Sequence, residues 1–386
     1  MNRLILIGNG FDLAHGLKTG YNDFILWYVK RCFLNAYKEN NYSDTLLEIT
    51  ITPYLDRHRL TIEKLEESLD DCYRQEKFNH LMDNVWFSNR RALDRVEPFE
   101  FKIKSNLLKM LFPRCSYYKW VDIENEYYEL LKAILNLKII NKRGLELIHE
   151  KENKLRDLNH SLAFLISQLQ HYLVSLPQPI VISDYMRILT SKIISRDVLG
   201  FAGIEAEPES TYILNFNYTN TVELYTNWFS ANSQRQVPQI NYIHGRLNDE
   251  TNSLIFGFGD ELDDTYHAIE QEKAKGYFNF IKSFWYFKTS NYRNLIKFVE
   301  SEPYQVFILG HSCGLSDRTM LNMVFEHSNC ISIKIFYHGD EKENNYVETT
   351  HEIARHFKNK EAMRRKIVSF NQCFRMHQFD DPPQPY

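Results

Sequence analysis

A run of apolar residues that ends in two glycines opens the chain and constrains its fold more than any other stretch. Residues 3–7 have strand character, Gly8-Asn9-Gly10 follows, and a helical pattern comes next. Glycines let the backbone approach a ligand closely, and the N–H groups at the start of a helix attract phosphate. The stretch predicts a strand, a turn and a helix of an α/β fold. A plain tight turn explains the two glycines about as well. The third glycine of the dinucleotide-binding fingerprint would fall at residue 13, which is leucine.

Length, charge and cysteine usage exclude several classes of protein. A chain of 386 residues is long for one hydrophobic core, which predicts two domains or one domain with an insertion. The formal net charge of −4 argues against a nucleic-acid partner. The six cysteines are scattered without a Cys-x-x-Cys pair, so no structural metal is expected. Because no signal peptide or transmembrane stretch is recognisable, we expect a cytoplasmic protein without a membrane partner.

The spacing of apolar residues divides the chain into four parts. Residues 1–34 hold the first strand, glycine turn and helix of a Rossmann-like domain, whereas residues 35–180 have the three- and four-residue spacing of helices. Strands and helices alternate in residues 181–345, and residues 346–386 predict a C-terminal helix and tail. One long helical stretch is expected over residues 263–300. The predicted fold class is α/β, with a Rossmann-like, mainly parallel sheet and a large all-helical insertion.

Polar residues follow four predicted strands of this sheet. Ligands of open parallel sheets bind outside the carboxyl ends of the strands, so these residues are candidates for one shared pocket. Each has an ordinary explanation by itself, such as a helix cap, a turn or a buried histidine. Their common position favours a nucleotide-type pocket. The candidates are Gly8-Asn9-Gly10, Asn215 with Asn217, His244-Gly245 and Gly310-His311-Ser312.

Several blocks of the sequence resemble the AbiH family of bacterial abortive-infection proteins, which act against bacteriophage. The most specific block is the opening one, residues 8–17 together with Thr19, Tyr21, Asp23 and Phe24. Later blocks that resemble the family are residues 120–125, 215–219, 242–245 and 310–317. The resemblance spans nearly the whole chain and implies a role in anti-phage defence.

AbiH proteins are in turn similar to the sirtuin-like domains of phage-defence proteins, several of which destroy NAD. This similarity implies a sirtuin-like fold, NAD as substrate or ligand, and Asn217 and His244 as catalytic residues. The zinc cysteines of the deacetylating sirtuins are absent, which argues against a protein deacetylase. The residues expected to contact the cofactor are Gly8, Asn9, Gly10, Phe11, Asp12, Asn215, Gly310, His311 and Ser312.

The reaction that this resemblance implies is hydrolysis of the bond between nicotinamide and ribose, through an oxocarbenium-like state. His244 would act as a general base, Asn217 would orient ribose or water, and the glycine turn would bind the pyrophosphate. Asp12 would either reach a ribose hydroxyl or cap the first helix. His15 would either face the pocket or pack in the core.

Two other functions stay open. A non-catalytic sensor would bind NAD or an ADP-ribose-like signal in the same pocket, and Thr219, where the sirtuin-like domains usually carry Asp, is consistent with it. A ribonuclease in the insertion would use Arg74 and His80, whose spacing matches the loose arginine-to-histidine pattern of HEPN-type ribonucleases. Many arginines and histidines produce such a spacing by chance. A phage component or self-association of the chain would be the trigger.

Overall fold

The computed structural model describes residues 1–74, 98–117, 122–138, 144–200, 205–226 and 236–381. The chain divides into two compact units. Unit 1 comprises Met1–Thr19, Leu176–Ala268 and Phe280–Tyr386, and unit 2 comprises Gly20–Ser175 and Ile269–Asn279.

The described strands and helices are numbered in chain order. The strands are β1 (Asn2–Ile7), β2 (Asn41–Ser43), β3 (Leu47–Ile51), β4 (Phe99–Ile103), β5 (Thr211–Asn215), β6 (Gln239–Tyr242), β7 (Tyr304–Leu309), β8 (Cys330–Tyr337) and β9 (Phe374–Arg375). The helices are α1 (Asn9–Ala14), α2 (Tyr21–Glu39), α3 (Ile62–Arg74), α4 (Asn106–Tyr117), α5 (Ile123–Leu135), α6 (Leu145–Val174), α7 (Ser183–Leu189), α8 (Asp264–Glu270), α9 (Lys282–Trp285), α10 (Asn291–Ser301), α11 (Arg318–Glu326), α12 (Tyr346–Arg355) and α13 (Lys360–Lys366).

A six-stranded sheet in the order β6-β5-β1-β7-β8-β9 forms the centre of unit 1. All of its neighbouring strands pair in parallel. The chain runs outward from β1 to β6 on one side and then from β7 to β9 on the other, as in the doubly wound Rossmann order. The predicted α/β fold with a parallel sheet is confirmed, and the switch in direction lies between β1 and β7.

Burial on both faces explains why most residues of the central strands β1 and β7 are apolar. Every residue of β1 and β7 is buried. Leu4 and Leu6 of β1 belong to one core cluster, whereas Ile5 and Ile7 belong to the other, because successive side chains of a strand point to opposite faces. Both faces are therefore packed, and the loops at the strand ends are held on a rigid frame.

The prediction that the insertion is all-helical is wrong. Strands β2, β3 and β4 form an antiparallel sheet inside unit 2. In β4 the buried side chains of Phe99, Phe101 and Ile103 alternate with exposed Glu100 and Lys102, which is the two-residue period of a strand. The apolar residues of the adjoining α4 hid this short alternation within a longer helical pattern.

The long helical stretch expected over residues 263–300 is also wrong, because three separate helices, α8, α9 and α10, occupy it. Gly276 lies between the first two with φ of +112°, a backbone conformation that a helix does not contain. The chain there passes through unit 2 before it returns to unit 1.

Part of the resembling block 120–125 and the predicted ribonuclease residue Arg74 lie in unit 2. Asp122 is the N-cap of α5, where its Oδ1 accepts a hydrogen bond from the Asn125 N–H at 3.0 Å. Arg74 ends α3, but His80 lies outside the described residues, as do residues 120–121 and 382–386, so the ribonuclease pair stays a prediction. None of the described helices combines the length and the hydropathy needed to cross a bilayer.

Candidate functional site

The strand order brings the predicted residues to one edge of the unit 1 sheet. β6, β5, β1 and β7 are consecutive neighbours and parallel, so the residues that follow them lie side by side. We call this region, residues 8–12, 215–219, 244–245 and 310–317, the carboxyl edge. Asn9 and Ser312 are exposed there, whereas Asn215, Asn217, His244 and His311 are buried.

Two glycine turns pack backbone against backbone at the centre of the carboxyl edge. A Cβ atom added to Gly8 would lie 2.5 Å from the His311 Cα, and one added to Gly310 would lie 2.2 Å from the Phe11 nitrogen. Gly310 also has φ of +70°, which disfavours any other residue. The contact between the turns after β1 and β7 therefore requires glycine at both positions.

Three N–H groups of the first turn bond within the protein. The Gly8 N–H donates to the Leu309 carbonyl at 3.1 Å, and the Gly10 N–H donates to the Gly310 carbonyl at 2.8 Å. The Phe11 N–H donates to the Gly8 carbonyl at 2.9 Å. A pyrophosphate would need these donors to exchange partners before they could bind it.

Asn215 and Asn217 join the end of β5 to the first turn. The Asn217 N–H donates to Asn215 Oδ1 at 3.1 Å, and Asn217 Nδ2 donates to the Gly8 carbonyl at 3.0 Å. The predicted catalytic amide is thus placed directly beside the predicted nucleotide turn. In this arrangement the Asn217 amide bonds to the backbone carbonyl of Gly8.

Asp12 is buried within α1, and its alternative role as a helix cap is wrong because Gly8 occupies the N-cap position. Its carboxylate Oδ2 instead accepts a hydrogen bond from Thr219 Oγ1 at 2.5 Å. Burial raises the pKa of Asp12 to about 6, against the opposing effect of hydrogen bonds from Thr219, Thr221 and Asn217. The carboxyl edge therefore contains a buried acid whose pKa is raised toward 6.

His244 lies in a polar cluster built around Asp317. Its Nε2 is 3.0 Å from Asp317 Oδ1 and 3.2 Å from the Tyr286 hydroxyl, and a backbone hydrogen bond to Phe216 also engages the ring. Burial and the nearby Lys282 charge lower the pKa of His244, although Asp317 opposes them. A carboxylate can only accept, so the Nε2–H group of His244 is the donor of the hydrogen bond to Asp317.

Asp317 is the centre of this cluster. Lys282, whose side chain is fully buried, places its Nζ 2.9 Å from Asp317 Oδ1, and His311 Nε2 lies 3.8 Å from Oδ2. Burial by itself would raise the pKa of Asp317, but Lys282, His244 and His311 outweigh it and hold that pKa well below its ordinary value. Asp317 is therefore a carboxylate that bonds to His244 and Lys282 and lies near a second histidine, His311.

A cavity of about 120 Å³ adjoins the cluster, and Asp317 and Tyr286 form part of its wall. None of the predicted catalytic or cofactor residues lines it. The sequence interpretation missed Lys282 and Tyr286, which lie in a stretch predicted as one helix. Asp317 was recognisable only as the last residue of the block 310–317.

His15 packs in the core. Its Nδ1 lies 2.6 Å from the Phe11 carbonyl, so this nitrogen donates, and its Nε2 accepts from the Tyr225 hydroxyl at 2.5 Å. The ring also lies against Tyr185, with centroids 4.8 Å apart. Both nitrogens thus bond to the unit 1 core.

We expect acid to destabilise the protein between pH 6.5 and 4. Burial lowers the pKa of both His15 and His311 from 6.5 to about 4, so in this window the unfolded chain binds more protons at these two residues. Asp12 acts in the opposite direction, because its raised pKa of about 6 favours the folded state as acid is added. The two histidines outweigh one aspartate, and the free energy of unfolding should fall by about 3 kcal/mol. Urea unfolding at several pH values measures this; constant or rising stability on acidification would contradict it.

Comparison with known proteins adds one match. The family model described as Bacteriophage abortive infection AbiH matches residues 4–338, a range that contains the whole carboxyl edge. No curated protein matches the sequence significantly. No solved structure does so either.

Proposed function

Because the chain belongs to the AbiH family of bacteriophage abortive-infection proteins, we propose that it carries out its anti-phage role by binding NAD, or a related nucleotide, at the carboxyl edge and hydrolysing it. The family places the chain in abortive-infection defence. The observation that supports the nucleotide is the Rossmann strand order, with polar residues after four neighbouring strands at its switch point.

The proposed reaction assigns one step to each part of the carboxyl edge. Asn217 leaves the Gly8 carbonyl to orient the ribose or the attacking water. His244 takes the proton of that water on Nδ1 once the bond between the ring and the Phe216 backbone is released, and Asp317, 3.0 Å from Nε2, stabilises the positive charge that the ring gains. Asp317 acts here as a positioning residue. Nicotinamide departs with the electron pair of the broken bond, and ADP-ribose forms.

A second candidate, a sensor that binds the nucleotide without turnover, is favoured by a specific observation. The Asn217 amide and the His244 ring are both held by bonds within the protein. A group that stays in such bonds can recognise a ligand by changing partners but does not act as a base. The sensor and the hydrolase therefore predict the same binding and differ in nicotinamide release.

The cytoplasm is the location that we propose for either activity. Cys32, Cys115, Cys313, Cys330 and Cys373 are free thiols, which is typical of proteins in a reducing compartment. A phage component or a second copy of the chain is the trigger that we propose.

Nicotinamide release by the purified full-length protein tests the hydrolase, with NAD added in the presence and absence of phage lysate. We expect wild-type protein to release nicotinamide and His244→Ala to do so about 10²- to 10⁴-fold more slowly, the usual contribution of acid–base catalysis. Asn217→Ala should also be strongly impaired.

The matched control is His15→Ala, which removes another buried histidine of unit 1 whose nitrogens bond to Phe11 and Tyr225. Its rate per folded molecule should stay close to that of the wild type. Wild-type activity in His244→Ala would contradict the assignment of the base. NAD binding without release of nicotinamide under either condition would establish the sensor instead.

A further inference from the structure

The cavity beside His244 has the size of a single ring. Its volume is about 120 Å³, whereas sites for drug-sized ligands and cofactors span roughly 300–1,000 Å³. An apolar cavity of about 150 Å³ is known to hold benzene. The present cavity is somewhat smaller, so it has room for the body of one ring whose substituents extend through its open side, and it excludes a whole dinucleotide.

Aromatic side chains form much of the cavity wall. The rings of Tyr286 and Tyr292 are nearly parallel, with centroids 5.4 Å apart, and Met320 adds an apolar surface. Phe287 also lines the cavity and is 82 % exposed, which places it at the side open to solvent. Aromatic faces attract cations through the negative charge of their π-systems.

The cavity wall contains two carboxylates, and Glu261 supplies most of their negative charge. Asp317 is paired with Lys282, so its charge is largely compensated. Glu261 adds a second carboxylate to the wall, and its charge joins burial in raising the pKa of Tyr292. Aromatic faces together with an acidic group favour a positively charged ring over a neutral one.

We propose that this cavity binds a cationic six-membered aromatic ring, of the N-alkylated pyridinium class. The identity of the ring rests on the proposed function: if NAD is the substrate, the ring is its nicotinamide end. The Tyr286 hydroxyl lies 3.2 Å from His244 Nε2, so a ring held against Tyr286 lies beside the imidazole of His244.

The chemistry of the proposed reaction fits a site with this preference. Cleavage breaks the bond between the ring nitrogen and the ribose carbon, and the electron pair of that bond stays on the nitrogen. A water oxygen bonds to the ribose carbon, and its proton passes to His244. The ring thereby loses its positive charge, so the cavity holds the substrate ring more tightly than the neutral product.

Calorimetric titration of the full-length protein with 1-methylnicotinamide and with nicotinamide tests the inference, because the two rings differ mainly in charge. We expect the cation to bind on the order of tenfold more tightly. Glu261→Gln should remove most of this preference. The matched control Asp264→Asn, an exposed carboxylate outside the cavity wall, should retain it.

A second variant, Ser283→Phe, fills the cavity from a partly exposed position and should abolish binding of both rings. Equal affinity for the two rings, or binding that survives Ser283→Phe, would overturn the inference. Failure of the two proposals can be told apart. Cation binding without NAD hydrolysis would overturn only the hydrolase, whereas NAD hydrolysis unchanged in Ser283→Phe would overturn only the ring site.

Discussion

Asp317→Asn is expected to lower the free energy of unfolding by about 3–5 kcal/mol, the usual result of removing one partner from a buried ion pair. The Lys282 side chain is fully buried, with its Nζ 2.9 Å from Asp317 Oδ1. Without the carboxylate, its ammonium group stays in the protein interior with an uncompensated charge. Urea unfolding of the wild type and the variant at pH 7 measures the difference.

A double variant separates the charge from the packing. Asp317→Leu combined with Lys282→Met removes both charges and keeps apolar volume, so it should be more stable than Asp317→Asn. A loss of no more than about 0.5 kcal/mol in Asp317→Asn, typical of surface substitutions, would show that the pair does not stabilise the cluster around His244.

Gly310→Ala is expected to cost about 3 kcal/mol or more. A φ of +70° is strained by roughly 1–3 kcal/mol in other residues. The new methyl group would also lie 2.2 Å from the Phe11 nitrogen, which belongs to the backbone and has no rotamer by which to move away. Overpacking of this kind costs a further 1–3 kcal/mol or so. Thermal and urea unfolding both report the loss.

Gly200→Ala is the matched control for this prediction. Gly200 has φ of +83° in the same unit, but an added Cβ would meet no atom of the described residues within 4 Å. The control therefore carries the backbone strain without the steric clash. If Gly310→Ala costs no more than Gly200→Ala, the close packing of the two glycine turns is contradicted.

Much of unit 1 was predictable because its signals are local. The apolar run before Gly8, the glycine turn and the polar ends of later strands each lie within a few residues, and a parallel sheet brings such ends to one edge. The AbiH resemblance is confirmed over residues 4–338. The reason why residue 8 must be glycine could not be predicted from its neighbours in sequence. The atoms that exclude a side chain there belong to Gly310 and His311.

The remainder depended on contacts between distant residues. Nothing near Lys282 indicates that its ammonium group pairs with Asp317, which lies 35 residues further along the chain. The same holds for Asp12, which reads as a helix cap from its neighbours but bonds to Thr219 across the sheet edge. In β4, five residues of strand pattern beside a helix were too few to stand out.

Calorimetric titration of the purified full-length protein with NAD tests the central claim most directly. The hydrolase and the sensor both require NAD binding at the carboxyl edge. We predict saturable binding of one NAD per chain, weakened on the order of tenfold by Asn217→Ala through the loss of its hydrogen bonds. The absence of saturable binding, with and without phage lysate, would contradict the account.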